Sequence, residues 1–129
     1  MALIIAVDLD EFSEMTKEKG WTPYAPNPVT RHLSHAVAAF AENHHATILH
    51  GLDFERGTEE AQLYCADPDV DTIISDLEVI RKEIEELDAN LSIGIACIPP
   101  EIPVKSLKDF PLAKKALKMS KRKKKIILL

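Results

Sequence analysis

Two carboxylates one residue apart, Asp8 and Asp10, close the apolar run Leu3–Phe12 (LIIAVDLDEF). Side chains alternate across a strand, so residues at i and i+2 share a face, and a strand here presents both acids together at its end. Neighbouring carboxylates repel unless a proton or a cation compensates them. A hard divalent cation such as Mg²⁺, held by a few carboxylates and by substrate phosphates, is one solution. The other reading is that both acids mark the strand's exit into solvent. Glu59 and Glu60 supply two more acids, after the turn residues Glu55-Arg56-Gly57-Thr58. They alternate in facing, so at most one of them approaches Asp8 and Asp10. Acids from two adjacent strands meeting at one sheet edge suit metal-assisted phosphoryl transfer, in which triphosphate charge has to be neutralised.

Other polar residues carry two readings each. Arg56, on the turn beside the acids, either pairs with them or touches phosphate. Trp21 and Tyr24 stand in the proline-rich loop Trp21–Pro28 (WTPYAPNP), where an aromatic stacks on a base or covers the sheet edge. His32 and His35 are three apart on a helix, but as zinc ligands they lack a third partner at metal spacing, which leaves a polar helix edge. His44 and His45 follow an apolar stripe, where a cation suits a helix C-terminus. His50 alternates with Ile48, Leu52 and Phe54 on one strand face. It reads as a sheet histidine, and as the general-base candidate if the chemistry is a ring opening. The run Lys114–Lys125 is densely basic, as a solvated helix face often is.

Periodicity gives the elements that must position these residues. Ser13–Gly20 is polar, ends in glycine and holds a short helical turn. Asn27-Pro28 is an N-cap followed by proline at the first helical position, and Val29, Leu33, Ala36, Val37 and Phe40 carry an amphipathic helix to about Asn43. Ala46–Phe54 and Ala61–Ala66 read as strands of a β-hairpin turning at Glu55–Thr58. Asp67-Pro68 opens a helix whose stripe runs from Val70 to Leu87, with Asp69 and Asp71 suiting the dipole of its first turn. Asn90–Ile98 is a strand stopped by Pro99-Pro100. A last helix lies near Pro111–Lys123, and Lys125–Leu129 adds a short strand. This order predicts an α+β, ferredoxin-like βαββαβ fold, with an antiparallel central sheet, helices on one face, and an extra C-terminal helix and strand. In that fold the first and third strands lie side by side, so the hairpin acids return close to the end of the first strand.

Composition bounds the rest. A chain of 129 residues, 46% hydrophobic and 29% charged, fits one soluble domain over 1–129. A formal charge of −5 disfavours non-specific nucleic-acid binding through overall charge. No apolar run has the length of a membrane span and the first residues carry no basic leader, so a cytoplasmic protein with no membrane partner is expected. Cys65 and Cys97 both sit in apolar strand-like runs and are expected to be reduced.

Four segments in matching order resemble the GGDEF-type nucleotidyl cyclase and polymerase palm superfamily. They are AVDLDEF at Ala6–Phe12, GTEEA at Gly57–Ala61, LSIGIA at Leu91–Ala96, and AKKALKMSKRKKKI at Ala113–Ile126. The resemblance implies a palm domain that uses a nucleoside triphosphate with Mg²⁺, or Mn²⁺. Its metal ligands would be Asp8, the backbone carbonyl of Leu9, and Glu59. Asp10 and Glu60 stand behind them as further metal or transition-state contacts, and Lys121 and Lys125 fall where cations hold the triphosphate. A narrower resemblance, through Gly20-Trp21-Thr22, Pro26-Asn27-Pro28 and Leu33, is to archaeal GTP cyclohydrolase III. It makes GTP the expected base and hydrolysis an alternative to nucleotidyl transfer. That enzyme carries two such modules, and here a homodimer would replace the tandem. The scaffold also resembles minimal CRISPR-type polymerases that make cyclic oligonucleotides. The departures are Thr58 for the second signature glycine, which is expected to crowd a nucleotide's approach, and Ala61 for the closing phenylalanine. No Asn or Asp after Met15 matches the guanine readers of diguanylate cyclases. These departures support a third expectation, a catalytically degenerate nucleotide-binding or dimerisation module.

Overall fold

The apolar residues of ALIIAVDL form β1 (Ala2–Leu9), buried on both faces except at Asp8. A strand apolar on both sides belongs in the middle of a sheet covered twice. The computed structural model, which describes residues 1–23, 25–107 and 110–129, places it at the centre of a five-stranded sheet. The elements that follow are α1 (Phe12–Lys19), α2 (Pro28–Asn43), β2 (Thr47–His50), β3 (Glu60–Cys65), α3 (Val70–Glu86), β4 (Leu91–Ile98), a 3₁₀ turn at Val104–Ser106, α4 (Pro111–Lys123) and β5 (Ile127–Leu128). The sheet order is β2-β3-β1-β4-β5, with β1 antiparallel to β3 and β4, and β5 parallel to β4. This is the ferredoxin-like arrangement, extended by one strand.

Local chemistry sets the helix ends. Gly20 closes α1 in the left-handed conformation, with φ 68°, which costs a residue without Cβ little. The Asn27 Oδ1 accepts the amides of Val29 and Thr30 at 3.0 Å each, and the Asn27 amide donates in return to the Thr30 hydroxyl oxygen at 3.1 Å. That reciprocal cap begins α2 where the Asn-Pro pair predicts. α3 begins later than Asp67-Pro68 predicts. Its cap is Asp69, whose Oδ1 accepts the Thr72 amide at 3.3 Å.

The odd residues of β1, Leu3, Ile5, Val7 and Leu9, pack with Leu33, Val37 and Phe40 of α2 and with Ile73, Leu77 and Ile84 of α3. The even residues Ala2 and Ile4 pack with Tyr64, Ala96, Leu107 and Ala113 on the opposite face, under α4. The two crossover helices thus lie on one face, as the βαββαβ order predicts, and the extra helix α4 covers the other. The reason lies at Gly94, which pairs with Ala6 of β1. A Cβ there would stand 2.3 Å from the Leu117 amide nitrogen, so the backbone of α4 rests directly on the bare glycine. Each fully buried Leu or Ile on these two faces contributes about 2 kcal/mol.

β2 is shorter than the expected Ala46–Phe54 and ends at His50. Its pairing with β3 slips between Ile48 and His50, and Gly51 follows at φ 99° with its backbone pressed on the Glu60 carbonyl. Leu52 and Phe54 thus leave the strand, and the alternation read for His50 does not continue past it. The segment then turns on Asp53, whose Oδ1 accepts the amides of Arg56 and Glu55 at 2.9 Å each. Cys65 and Cys97 are both free and both lie opposite Leu3, on strands separated by β1. Two strand spacings, about 10 Å, exceed the reach of a disulfide. Burial pushes the Cys65 thiol up to about 11. No helix among the described residues is long and apolar enough to cross a membrane.

The close seat of α4 makes Gly94 sensitive to a single methyl. Gly94→Ala is expected to lower unfolding free energy by about 1–3 kcal/mol, as overpacked cores do, measured by urea denaturation. An unchanged midpoint would show that α4 does not depend on this contact.

Candidate functional site

Asp8 is the first position on β1 where a charge is tolerated, because the strand is about to end. It lies opposite Glu60 on β3 and opposite Ser92 on β4, which puts all three on the α4 face of the sheet. Asp10 follows past the end of the strand, and its amide donates to the Asn90 carbonyl at 2.8 Å. The last turn of α4 brings Lys121, whose Nζ is 2.9 Å from Asp8 Oδ2 and 3.0 Å from Asp10 Oδ1. Ser92 donates its hydroxyl to the same Asp10 oxygen at 2.6 Å. The Lys121 cation thus stands between the two carboxylates.

Buried Ser120 holds that cation in place. Its hydroxyl accepts the Ile93 amide at 2.9 Å and donates to the Lys125 carbonyl at 2.7 Å, tying the end of α4 to β4. Burial pushes the Asp8 carboxyl above its ordinary value. Glu60 and Asp10 push the same way, and together they outweigh the Lys121 ammonium. For Lys121, burial acts downward, but its bonds to Asp8 and Asp10 prevail and the ammonium is held above its usual range.

Glu59 and Glu60 divide as alternation requires. Glu60 shares the face of Asp8, while Glu59 faces the other way, onto a cavity of about 290 Å³ lined by Phe12, Ser13, Thr16, Lys17, Trp21 and Pro23. The division concerns facing and not field. Burial first, then Glu60 and Asp8, raise the Glu59 carboxyl against the opposing charge of Arg56. The Leu9 amide donates to the Glu59 carbonyl at 2.9 Å, so this peptide adjoins the hairpin acids. Asp8 and Glu60 are thus hard oxygen donors on one face of this edge, with Glu59 on the other face and within electrostatic reach of Asp8. Among the described residues, no three Asp, Glu, His or Cys side chains converge as a closed metal cage. Mg²⁺ does not require one, since it is commonly bound by one or two carboxylates together with waters and substrate phosphates. The donor chemistry fits.

Of the remaining candidates, half-buried Trp21 lines the cavity and packs against the core, with the Lys19 ammonium 5.6 Å from its ring. Tyr24 lies outside the described residues. Lys125 is exposed, and its backbone carbonyl is what Ser120 fixes. Arg56 is exposed on the turn, within electrostatic reach of Glu59. His32 and His44 bond to Glu83 at 3.2 Å and Asp76 at 2.7 Å, while His35 sets its ring edge-on to Phe54. His32 and His35 therefore do not share a ligand.

Thr58 corrects an expectation. Its side chain is wholly buried, so it does not crowd an approaching nucleotide. It bonds to the Ser34 hydroxyl at 2.6 Å and accepts the Asp53 amide at 3.2 Å, while its own amide donates to the Thr30 carbonyl at 3.2 Å. The hairpin is thereby anchored to α2. Gly57 beside it, at φ 88°, lies where a Cβ would stand 2.1 Å from the Thr30 hydroxyl. Hydrophobic periodicity does not single out Ser92 or Ser120. The signal for Ser92 is a hydroxyl within an apolar strand, opposite the acid position of β1.

No protein-family model matches the chain, and no curated protein matches it in sequence. Solved structures do match. The GGDEF domain of DgcB from Caulobacter crescentus, in complex with c-di-GMP, superposes with a TM-score of 0.71 at 18% identity, over 98% of this chain and 77% of that one. Diguanylate cyclase SiaD from Pseudomonas aeruginosa, in complex with its activator SiaC, gives 0.65 at 16% identity, over 99% of this chain and 50% of that one. The Csm1–Csm4 cassette in complex with cA4 gives 0.57 at 10% identity, over 97% of this chain but 20% of that one. The fold is the GGDEF-type palm.

The raised Asp8 carboxyl has a consequence for stability. A folded carboxyl that binds its proton more tightly than the unfolded one costs stability above its folded pKa, and the cost vanishes below the ordinary aspartate value of 3.8. Asp8→Asn is therefore expected to melt at a higher temperature than the parent at pH 7. The difference should shrink as the pH falls through the Asp8 pKa towards 3.8. A variant less stable at pH 7 would mean that the Lys121 pair outweighs burial.

Proposed function

We propose that the chain is a palm-type domain that uses a nucleoside triphosphate with Mg²⁺. A hydroxyl oxygen attacks the α-phosphorus and gives up its proton to solvent, the bond from that phosphorus to the bridging oxygen of the β-phosphate breaks, and pyrophosphate leaves. The observation that carries this reading is a single sheet edge where Asp8, Asp10, Glu60 and Lys121 meet beside Glu59 and its cavity. As the resemblance implies, Asp8, the Leu9 carbonyl and Glu59 would hold the ion, with Asp10 and Glu60 behind them; Mn²⁺ would suit the same oxygens. When bound, the ion supplies charge neutralisation and Lewis acidity at the phosphoryl oxygens. Lys121, now balanced against two carboxylates, lends its ammonium to a triphosphate arriving at the same acids, and Lys125 and Arg56 extend that positive rim. Trp21 offers a flat apolar wall to the base in the adjoining cavity.

GTP is the favoured base, supported by the GGDEF neighbours in complex with c-di-GMP and by the resemblance of the Gly20–Leu33 segment to GTP cyclohydrolase III. Joining two nucleotides into a cyclic product needs two sites facing each other, and a homodimer suits that reaction. The Csm1–Csm4 match in complex with cA4 favours a second reading, synthesis of a cyclic oligonucleotide from ATP.

The test is incubation with each of the four ribonucleoside triphosphates and Mg²⁺, following pyrophosphate and products by chromatography. Turnover is expected with GTP ahead of the others. Asp8→Ala should lower the rate roughly a hundredfold or more, and Trp21→Ala should raise KM more than it lowers kcat. Binding of nucleotides without turnover would make the chain a nucleotide-binding module instead. Full activity in Asp8→Ala would remove the metal assignment.

A further inference from the structure

We infer that the outward face of α4 is a track for the sugar–phosphate backbone of a single-stranded oligonucleotide, leading to the acid site. The net charge of −5 conceals a segregated distribution: every acidic residue precedes Pro111, and half of the 16 lysines and arginines follow it. α4 buries Ala113, Ala116 and Ser120 and rests its backbone on Gly94, so the helix packs through small residues. Lys115, Lys118 and Arg122 are exposed, and their spacing sets them along one side, over about 10 Å of helix at 1.5 Å per residue. Lys121 continues that face to Asp8 and Asp10, and exposed Lys125 lies just beyond the helix end.

On α3, by contrast, Arg81 is bound to Glu78 and Glu85 of its own helix. Among the described residues, Lys115, Lys118 and Arg122 have no such carboxylate. A row of like charges in solvent repels itself, and a polyanion relieves that repulsion while releasing its own counterions. The helix carries no Phe, Tyr or Trp, so base stacking is absent and the binding depends on phosphate, with little sequence preference. The choice of a nucleic acid over an acidic protein rests on the nucleotide reading of the site where the track ends; the polyanion surface itself does not.

The experiment is fluorescence anisotropy of labelled decathymidylate with the full chain, with labelled polyglutamate as the competing polyanion. Decathymidylate should bind, and its affinity should fall roughly tenfold between about 50 and about 200 mM NaCl, as two or three phosphate contacts require. A triple variant, K115Q/K118Q/R122Q, should lose binding about tenfold or more while keeping its circular dichroism, its urea midpoint and the parent's response to nucleoside triphosphates. No binding at low salt, or an unchanged triple variant, overturns the proposal. Equal binding of polyglutamate overturns the assignment to nucleic acid. A parent that binds decathymidylate in preference to polyglutamate but releases no pyrophosphate from any nucleotide would refute turnover at the acid site and leave the track in place.

Discussion

A strand buried on both faces has no place for a charge until it ends. Moving an ionised group into an apolar interior costs far more than any single contact returns, and β1 is covered by α2 and α3 on one side and α4 on the other. Its first acid therefore stands at Asp8, as the helical layers open, and every other polar participant has to be brought to that point. The hairpin brings Glu59 and Glu60, β4 brings Ser92, and the far end of α4 brings Lys121. The site is local to one edge because the interior excludes it from everywhere else.

α4 is the element that depends most on this arrangement. It buries the small residues Ala113, Ala116 and Ser120, with Leu112 packed beside them, and so sits close to the sheet. Gly94 admits its backbone and Ser120 stitches its last turn to β4 and to Lys125. The pairing of Lys121 with Asp8 and Asp10 then closes the contact electrostatically. Three modest interactions in sequence fix one ammonium to within hydrogen-bonding distance of two carboxylates.

Much of this is written in local residue order. Asn27-Pro28 marks the start of α2 because the cap and the proline act within one turn, and the Pro111–Lys123 helix is legible for a similar reason. Asp8 and Asp10 are legible because alternation is a rule of the backbone. The second helical layer is not, since it depends on what Gly94 meets after the chain has folded. The end of β2 is missed because Gly51 and the slipped pairing at His50 are settled by the neighbouring strand. Thr58 is misjudged in the same way. Its position in the signature is plain from the sequence, but the side of the loop it faces is set by Ser34 and Thr30, more than twenty residues earlier.

That anchor bears on entropy. A glycine at position 58 would leave the hairpin more backbone freedom, and the acids would be ordered partly at the moment a ligand arrives. Threonine, held from α2 by bonds to both its hydroxyl and its amide, has already surrendered that freedom when the chain folds. Ordering of Glu59 and Glu60 then draws on the folding free energy of the domain and not on the affinity for whatever binds beside them.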